Sequence, residues 1–142
     1  MMEGEFRIRV TYAMTGRLVM LSHLETARAI ERTVRRSDLP FAVTQGFSPH
    51  MKLAFGSALP VGVGGLAEIF DVTMTAFVPP AEALARLRAA SAPDLMPCDV
   101  RYIDKTVKAA SVAYPFSTYR VELADGADAS ALKVPEEIVV VR

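Results

Sequence analysis

Three stretches in which apolar and polar residues alternate predict the long strands of this chain. They are residues 6–12, 69–75 and 96–102. A period of two residues places successive side chains on opposite faces of a sheet, so that one face is buried and the other is wet. In the first stretch, Arg7 and Arg9 are predicted to lie on the wet face. The face predicted to be buried in the third stretch consists of Met96, Cys98, Val100 and Tyr102.

Two stretches with helical periodicity lie between these strands. Ser22 is followed three residues later by Glu25, a capping box that predicts a helix from this point to about Ser37. Its apolar stripe is predicted to be Leu24, Ala27, Ile30 and Val34. The second helix is predicted to begin at Pro79–Pro80 and to end near Ser91, because proline is tolerated in the first turn of a helix.

The order of these elements predicts the fold class. With short strands at residues 41–43 and 52–55, the order is strand, helix, strand, strand, helix, strand. This order predicts an α+β domain over residues 1–104, a ferredoxin-like split β-α-β-β-α-β sandwich with both helices on one face of an antiparallel sheet.

Residues 105–142 are predicted to form a strand-rich extension, with an extra C-terminal strand or hairpin. Alternation at Tyr119, Val121 and Leu123 indicates one strand, and Asp125-Gly126 indicates a turn after it. A further apolar run at residues 138–142 is typical of a strand. Because this run stops abruptly, we expect the chain to be a truncated form of a longer protein.

Composition narrows the classes of protein to which the chain can belong. Its 142 residues are enough for one domain with a real core, and 51% hydrophobic residues exclude a largely disordered chain. We expect a cytoplasmic protein without a membrane partner, because there is no apolar run of about 20 residues and no secretory signal. The single Cys98 excludes an internal disulfide. A net charge of zero argues against binding nucleic acid through bulk charge alone.

The segment from Thr44 to Gly62 is the candidate site, because it collects polar and aromatic residues between glycines and prolines. Its candidate binding residues are Gln45, Phe47, His50 and Lys52. Phe47 either anchors the segment in the core or stacks on an exposed RNA base. His50 is either a structural group, or a phosphate donor and general acid or base.

Two sets of arginines are candidates for contacts with anions. Arg28, Arg32 and Arg35 lie one turn apart on the first helix. They either form a solvated face with neighbouring glutamates or bind phosphate or an acidic partner. Arg7 and Arg9, on the sheet face away from the helices, could form a nucleic-acid platform, although the aromatic pattern of an RRM is missing.

No complete catalytic set is present in the sequence. His23 and His50 are the only histidines, the G-x-S-x-G motif is absent, and no pair of carboxylates stands out by position. Nothing in the spacing of His23, His50 and Cys98 indicates a metal site. We therefore expect no cofactor and no metal, and we lean towards a protein that is not an enzyme.

Two segments, TGRLVMLSHLE at 15–25 and TQGFSPHMKLAFGSALPVG at 44–62, resemble the radical-SAM-linked domain of unknown function found in bacteria. The matching positions are Gly16, Arg17, Leu18, Ser22, His23 and Leu24, and Gln45, Gly46, Phe47, Pro49, His50, Lys52 and Leu53. Ser48 and Met51 depart from the usual residues of that family. Its members are fused to, or encoded beside, cobalamin-binding radical SAM proteins. The resemblance, over roughly residues 6–104, implies an accessory role beside such an enzyme in RNA or tRNA modification.

The leading hypothesis is a non-catalytic binding module that presents RNA or docks a radical SAM partner. It would use Arg17, Ser22 and His23 together with the segment from Gln45 to Lys52 as one site. One alternative is a small RNA-processing enzyme in which His50 is the acid or base and Lys52 stabilises charge. Another alternative is a protein–protein adaptor in which the helix arginines contact an acidic partner.

Overall fold

The computed structural model describes residues 5–128 and Ser130, and within them the fold is a mixed α/β one. Four strands form a single antiparallel sheet: β1 (Phe6–Met14), β2 (Leu53–Phe55), β3 (Gly65–Met74) and β4 (Leu95–Ile103). Three α-helices accompany the sheet: α1 (His23–Arg36), α2 (Pro80–Ala90) and the short α3 (Ala110–Ala113). A 3₁₀ helix at Gly16–Met20 leads from β1 into α1.

The sheet has the strand order β2-β3-β1-β4, so β1 and β3 are its central strands. Ile8 of β1 lies opposite Val72 of β3, and Val10 lies opposite Phe70. On the other side, Val10 lies opposite Val100 of β4. These apolar residues share one face, where they form a core with residues of α1 and α2.

Helix α1 begins where the sequence predicts, and Ile30 and Val34 of the predicted stripe are buried, but Leu24 and Ala27 are replaced in the buried stripe by Thr26 and Thr33. The capping box is present: Glu25 N donates to Ser22 Oγ at 3.2 Å, and Ser22 N donates to Glu25 Oε1 at 3.2 Å. The buried residues of the helix are Thr26, Ile30, Thr33 and Val34. Leu24, predicted to be buried, is 59% exposed. The threonines can replace it in the core because their hydroxyls donate to backbone carbonyls one turn earlier.

Strand β4 contains a bulge that changes which of its residues are buried. Thr11 pairs with Asp99 while Tyr12 pairs with Pro97, so Cys98 is an extra residue in β4. The prediction that Cys98 is buried is therefore wrong, and its side chain is exposed. Arg88 of α2 donates to the Pro97 carbonyl at 2.7 Å beside the bulge.

The sheet face away from α1 and α2 is covered by residues 104–114, which we call the strap. Arg9 was predicted to be wet, but it is 3% exposed and forms two hydrogen bonds with Asp71, at 2.8 and 2.9 Å. A guanidinium nitrogen of Arg9 also donates to the Lys108 carbonyl in the strap, at 2.9 Å. The hydrogen bond to Asp71, together with the opposing charge of that carboxylate, raises the pKa of Arg9 against the effect of burial, so the guanidinium remains charged in this position.

Two further arginines hold the strap in the same way. Arg7 donates to the Val107 carbonyl at 2.7 Å, and Arg101 of β4 donates to the Tyr114 hydroxyl at 2.9 Å. The ring of Tyr114 lies 5.9 Å from the Arg9 guanidinium carbon. Arg7 and Arg9, which were predicted to form an open platform for nucleic acid, therefore bind the strap instead.

The shorter predicted elements have mixed outcomes. Residues 41–43 form isolated bridges rather than a strand, whereas residues 53–55 form β2. The strand predicted at residues 119–123 does not form, because these residues have no sheet partner among those described, but the Asp125-Gly126 turn is present. The apolar run at residues 138–142 lies outside the described residues.

We predict that Asp71→Asn lowers the free energy of unfolding by about 3 kcal/mol, because it leaves the buried Arg9 guanidinium without an opposing charge. Urea denaturation measures the change. The matched control is Glu31→Gln, which breaks an exposed ion pair with Arg35 and should cost less than about 0.5 kcal/mol. Equal losses in the two variants would contradict a structural role for the buried pair.

Candidate functional site

The 44–50 loop is closed at its base by hydrogen bonds and protrudes from the sheet. Val43 and Met51 form an antiparallel bridge, and Thr44 N donates to the His50 carbonyl at 2.8 Å. His50 N donates to Thr44 Oγ1 at 3.2 Å, which closes the base a second time. Ala42 N donates to the Thr73 carbonyl of β3 at 2.8 Å, so the sheet fixes the position of the loop.

Phe47 lies in this loop with its ring in solvent. Its side chain is fully exposed, so the interpretation that it anchors the loop in the core is wrong. The preceding Gly46 has a φ of +142°, a conformation that L side chains rarely adopt. Gly46 therefore permits the backbone conformation found in the closed loop, and the ring of Phe47 lies outside the core.

His50 belongs to the base of the loop through its ring as well as its backbone. Its Nδ1 lies 3.0 Å from the Ser48 carbonyl and 3.4 Å from Thr44 Oγ1. Because a carbonyl can only accept, we assign the proton to Nδ1, and Nε2 is then the acceptor of the neutral ring. The Ser48 carbonyl therefore orients the ring, and among the described residues no carboxylate forms a hydrogen bond with it.

The other two candidate residues of this segment differ in their contacts. Lys52 donates to Glu5 Oε1 at 2.8 Å, in an ion pair whose side chains are 34% and 56% exposed. An ion pair this exposed contributes little to the free energy of unfolding. The carboxylate of Glu5 nevertheless offsets the charge of Lys52, which is the one lysine or arginine between Thr44 and Gly62. Gln45 is exposed at the start of the loop. The surface around Phe47 is therefore polar and weakly charged.

The first motif segment lies at the start of α1. Ser22 uses its hydroxyl to cap the helix, so this side chain has a structural role. Arg17 is exposed in the 3₁₀ helix. His23 is exposed and packs edge-on against Phe55, the last residue of β2, with 5.8 Å between ring centroids. Ser22 and His23 of this motif therefore have structural contacts, in helix capping and in packing against Phe55.

A small open pocket lies beside His23, lined by Tyr12, Thr26 and the chain from Phe55 to Leu59. Burial raises the pKa of the Tyr12 hydroxyl, and the negative charge of Glu68 adds to this increase. Burial also raises the pKa of the half-buried Glu68. A phenol that holds its proton so tightly is a hydrogen-bond donor rather than a base at neutral pH.

The seven candidate residues lie in two segments of the chain, one at the start of α1 and one before β2. The 44–50 loop precedes β2, whereas His23 contacts the residue at the opposite end of that strand. Gln45, Phe47, His50 and Lys52 therefore form one group, and Arg17, Ser22 and His23 form the other.

An exposed aromatic cluster was not found from the sequence. Phe77 stacks on Tyr102 with 5.0 Å between centroids, and Phe6 packs edge-on against both rings. Phe77 is 59% exposed. Phe6 follows Glu5, the partner of Lys52, which places this cluster at the same end of the sheet as the 44–50 loop. The only sign of this cluster in the sequence was Phe77, two residues before Pro79 and Pro80.

The part of the chain that the structure describes contains no cluster of three or more histidine, cysteine, aspartate or glutamate side chains arranged to hold a metal ion. Within the same residues, no helix has the length and apolarity that crossing a bilayer requires.

Comparison with known proteins gave one match. A family model described as an uncharacterised protein conserved in bacteria, DUF2344, matches residues 7–140. No curated protein and no solved structure matches the chain.

We predict that Ser22→Ala lowers the free energy of unfolding by about 1 kcal/mol, because Glu25 N loses its side-chain acceptor. Chemical denaturation measures this loss. Ser57→Ala provides a control at a serine outside the cap, and an equal loss there would argue against the capping role.

We also predict that Glu68→Gln stabilises the protein more at neutral pH than in acid. The raised pKa of Glu68 means that its contribution is complete below the unfolded pKa and is lost as pH rises through the folded pKa. Glutamine cannot ionise, so the difference in Tm between variant and wild type should grow from below the ordinary value of 4.5 to neutral pH. A difference independent of pH would contradict this assignment.

Proposed function

The chain belongs to the DUF2344 family of uncharacterised proteins conserved in bacteria, and we propose that it is a non-catalytic docking module that inserts Phe47 into a protein partner. The observation that carries the proposal is the full exposure of Phe47 on a loop whose base is closed. Burying such a side chain at an interface contributes roughly 1.5–3 kcal/mol.

The closed base of the loop favours docking for an energetic reason. The bridge between Val43 and Met51 and the two bonds between Thr44 and His50 are formed before any partner arrives. A preformed loop loses less conformational entropy on binding than a flexible one. The ring of Phe47 is also rigid, and aromatic anchors of this kind are enriched at the centres of protein interfaces.

A protein partner fits the charges around Phe47 better than RNA does. Lys52 is paired with Glu5, and the sheet arginines Arg7 and Arg9 are bound to the strap. The one cation of the loop segment and those of the sheet face are therefore engaged within the protein, whereas phosphate contacts supply most of the affinity for nucleic acid. The exposed Phe6 and Phe77 at the same end of the sheet add apolar surface that a protein can cover.

The enzyme alternative has less support. His50 bonds to a backbone carbonyl and a threonine hydroxyl, and among the described residues no nucleophile or second catalytic group is hydrogen-bonded to its ring. The resemblance to the radical-SAM-linked domain makes a cytoplasmic radical SAM enzyme the first partner to test. The strand order β2-β3-β1-β4, with α1 after β1 and α2 after β3, supports the ferredoxin-like split β-α-β-β-α-β arrangement as the scaffold of this module.

The test is photocrosslinking in the bacterium that encodes the protein, with p-benzoylphenylalanine in place of Phe47. We expect an adduct with another protein, sensitive to protease and insensitive to ribonuclease, which mass spectrometry identifies. The same photoreactive residue at Ala85, exposed on α2, is the matched control and should give no such adduct. A ribonuclease-sensitive adduct, or none, would contradict protein docking. An adduct with a protein other than a radical SAM enzyme would reject only that choice of partner.

We predict that Phe47→Ser changes the free energy of unfolding by less than about 0.5 kcal/mol, because the ring contributes nothing to the core. Urea denaturation checks this value. A large loss of stability would show that Phe47 serves the fold and would remove the basis for the docking role.

A further inference from the structure

Helix α1 presents a row of three arginines, Arg28, Arg32 and Arg36, which we call the arginine row. All three are exposed. Successive members are four residues apart, which corresponds to a rise of roughly 6 Å along the helix axis. The row lies away from the buried stripe that includes Ile30 and Val34, so the guanidinium groups point into solvent.

The two glutamates beside the arginine row already accept hydrogen bonds from other groups. Glu31 accepts a hydrogen bond from Arg35 at 2.9 Å, and Glu25 accepts one from Ser22 N in the capping box. The predicted pairing of glutamates with helix arginines therefore holds for Arg35. Within residues 5–128, no acidic side chain forms an ion pair with a member of the row.

The C-terminal end of α1 lies beside the chain that leads into the 44–50 loop. Helix α1 ends at Arg36, and the neighbouring Arg35 places its guanidinium carbon 5.5 Å from the centre of the Phe41 ring. Phe41 bridges to Met74 of β3, and the chain then reaches the bridge between Val43 and Met51 that closes the loop. A partner that covers Phe47 can therefore extend along α1.

We infer that the arginine row is the electrostatic part of this docking surface and that its occupant is an acidic polypeptide segment of the same partner. This inference rests on the proposed function and adds the chemistry of the partner. Guanidinium groups bind carboxylates through two parallel hydrogen bonds, a geometry that lysine cannot provide. Charges at the rim of an interface mainly raise the association rate and make it dependent on salt.

Acidic polypeptide suits this surface better than a phosphate backbone does. Glu25 and Glu31 lie on the same exposed side of α1 as the row, and they would repel a strand that is uniformly anionic. A polypeptide can place carboxylates opposite the arginines and neutral side chains opposite the glutamates.

The test measures binding of two labelled polyanions by fluorescence anisotropy at low and at physiological salt. The probes are a poly-glutamate peptide and an oligouridylate, each of about 20 units, so that their charges are similar. We expect wild type to bind poly-glutamate more tightly than oligouridylate. The variant R28Q/R32Q/R36Q should weaken poly-glutamate binding by at least about tenfold.

The matched control is K105Q/K108Q/R120Q, which removes the same charge at exposed positions outside α1 and should change binding by less than about twofold. Equal losses in the two variants, tighter binding of oligouridylate, or no poly-glutamate binding by wild type would each overturn the inference. If poly-glutamate binding fails but a protein adduct forms at position 47, only the acidic character of the partner is refuted. If no protein adduct forms at position 47, the docking module itself is refuted.

Discussion

The buried pair of Arg9 and Asp71 is the interaction on which the sheet depends. The two residues lie directly opposite each other on the central strands β1 and β3. A slip of one residue between these strands would turn one of the two charges into the apolar core and leave the other without its partner, so the pair fixes their register. Burial of an ion pair is favourable only when further hydrogen bonds satisfy it, and the strap supplies the carbonyl of Lys108 for this purpose. Sheet register and strap position are therefore parts of one arrangement.

This arrangement decides which surfaces remain for function. With the strap in place, one sheet face is closed by residues 104–114 and the other by α1 and α2. The surfaces that remain include Phe47 in the 44–50 loop, the aromatic cluster around Phe77 and the exposed side of α1. The loop and α1 lie outside the sheet, whereas the aromatic cluster includes Phe6 of β1 and Tyr102 of β4.

Local signals in the sequence predicted local structure well, whereas contacts between distant residues were missed. The capping box at Ser22 and the prolines before α2 act within one helical turn, and both helix starts were correct. Arg9 was wrongly predicted to be wet, because its burial depends on a strap about 100 residues later. Exposure of Phe47 could not be decided from sequence either, since it follows from loop closure. The two motif segments were recognisable in the sequence, but the contact of His23 with Phe55 joins residues far apart in the chain and could not be predicted from it.

The bulge in β4 has a consequence for how this protein can associate. β2 and β4 are the outer strands of the sheet, and an outer strand with free backbone groups can template the addition of a foreign strand. β2 has only three residues, which limits such templating. In β4, Pro97 has no N–H, its carbonyl is occupied by Arg88, and the extra Cys98 distorts the ladder. Both margins of the sheet are thus poor templates for amyloid-like growth, which lets the molecule carry exposed aromatic rings with less risk of edge-to-edge aggregation.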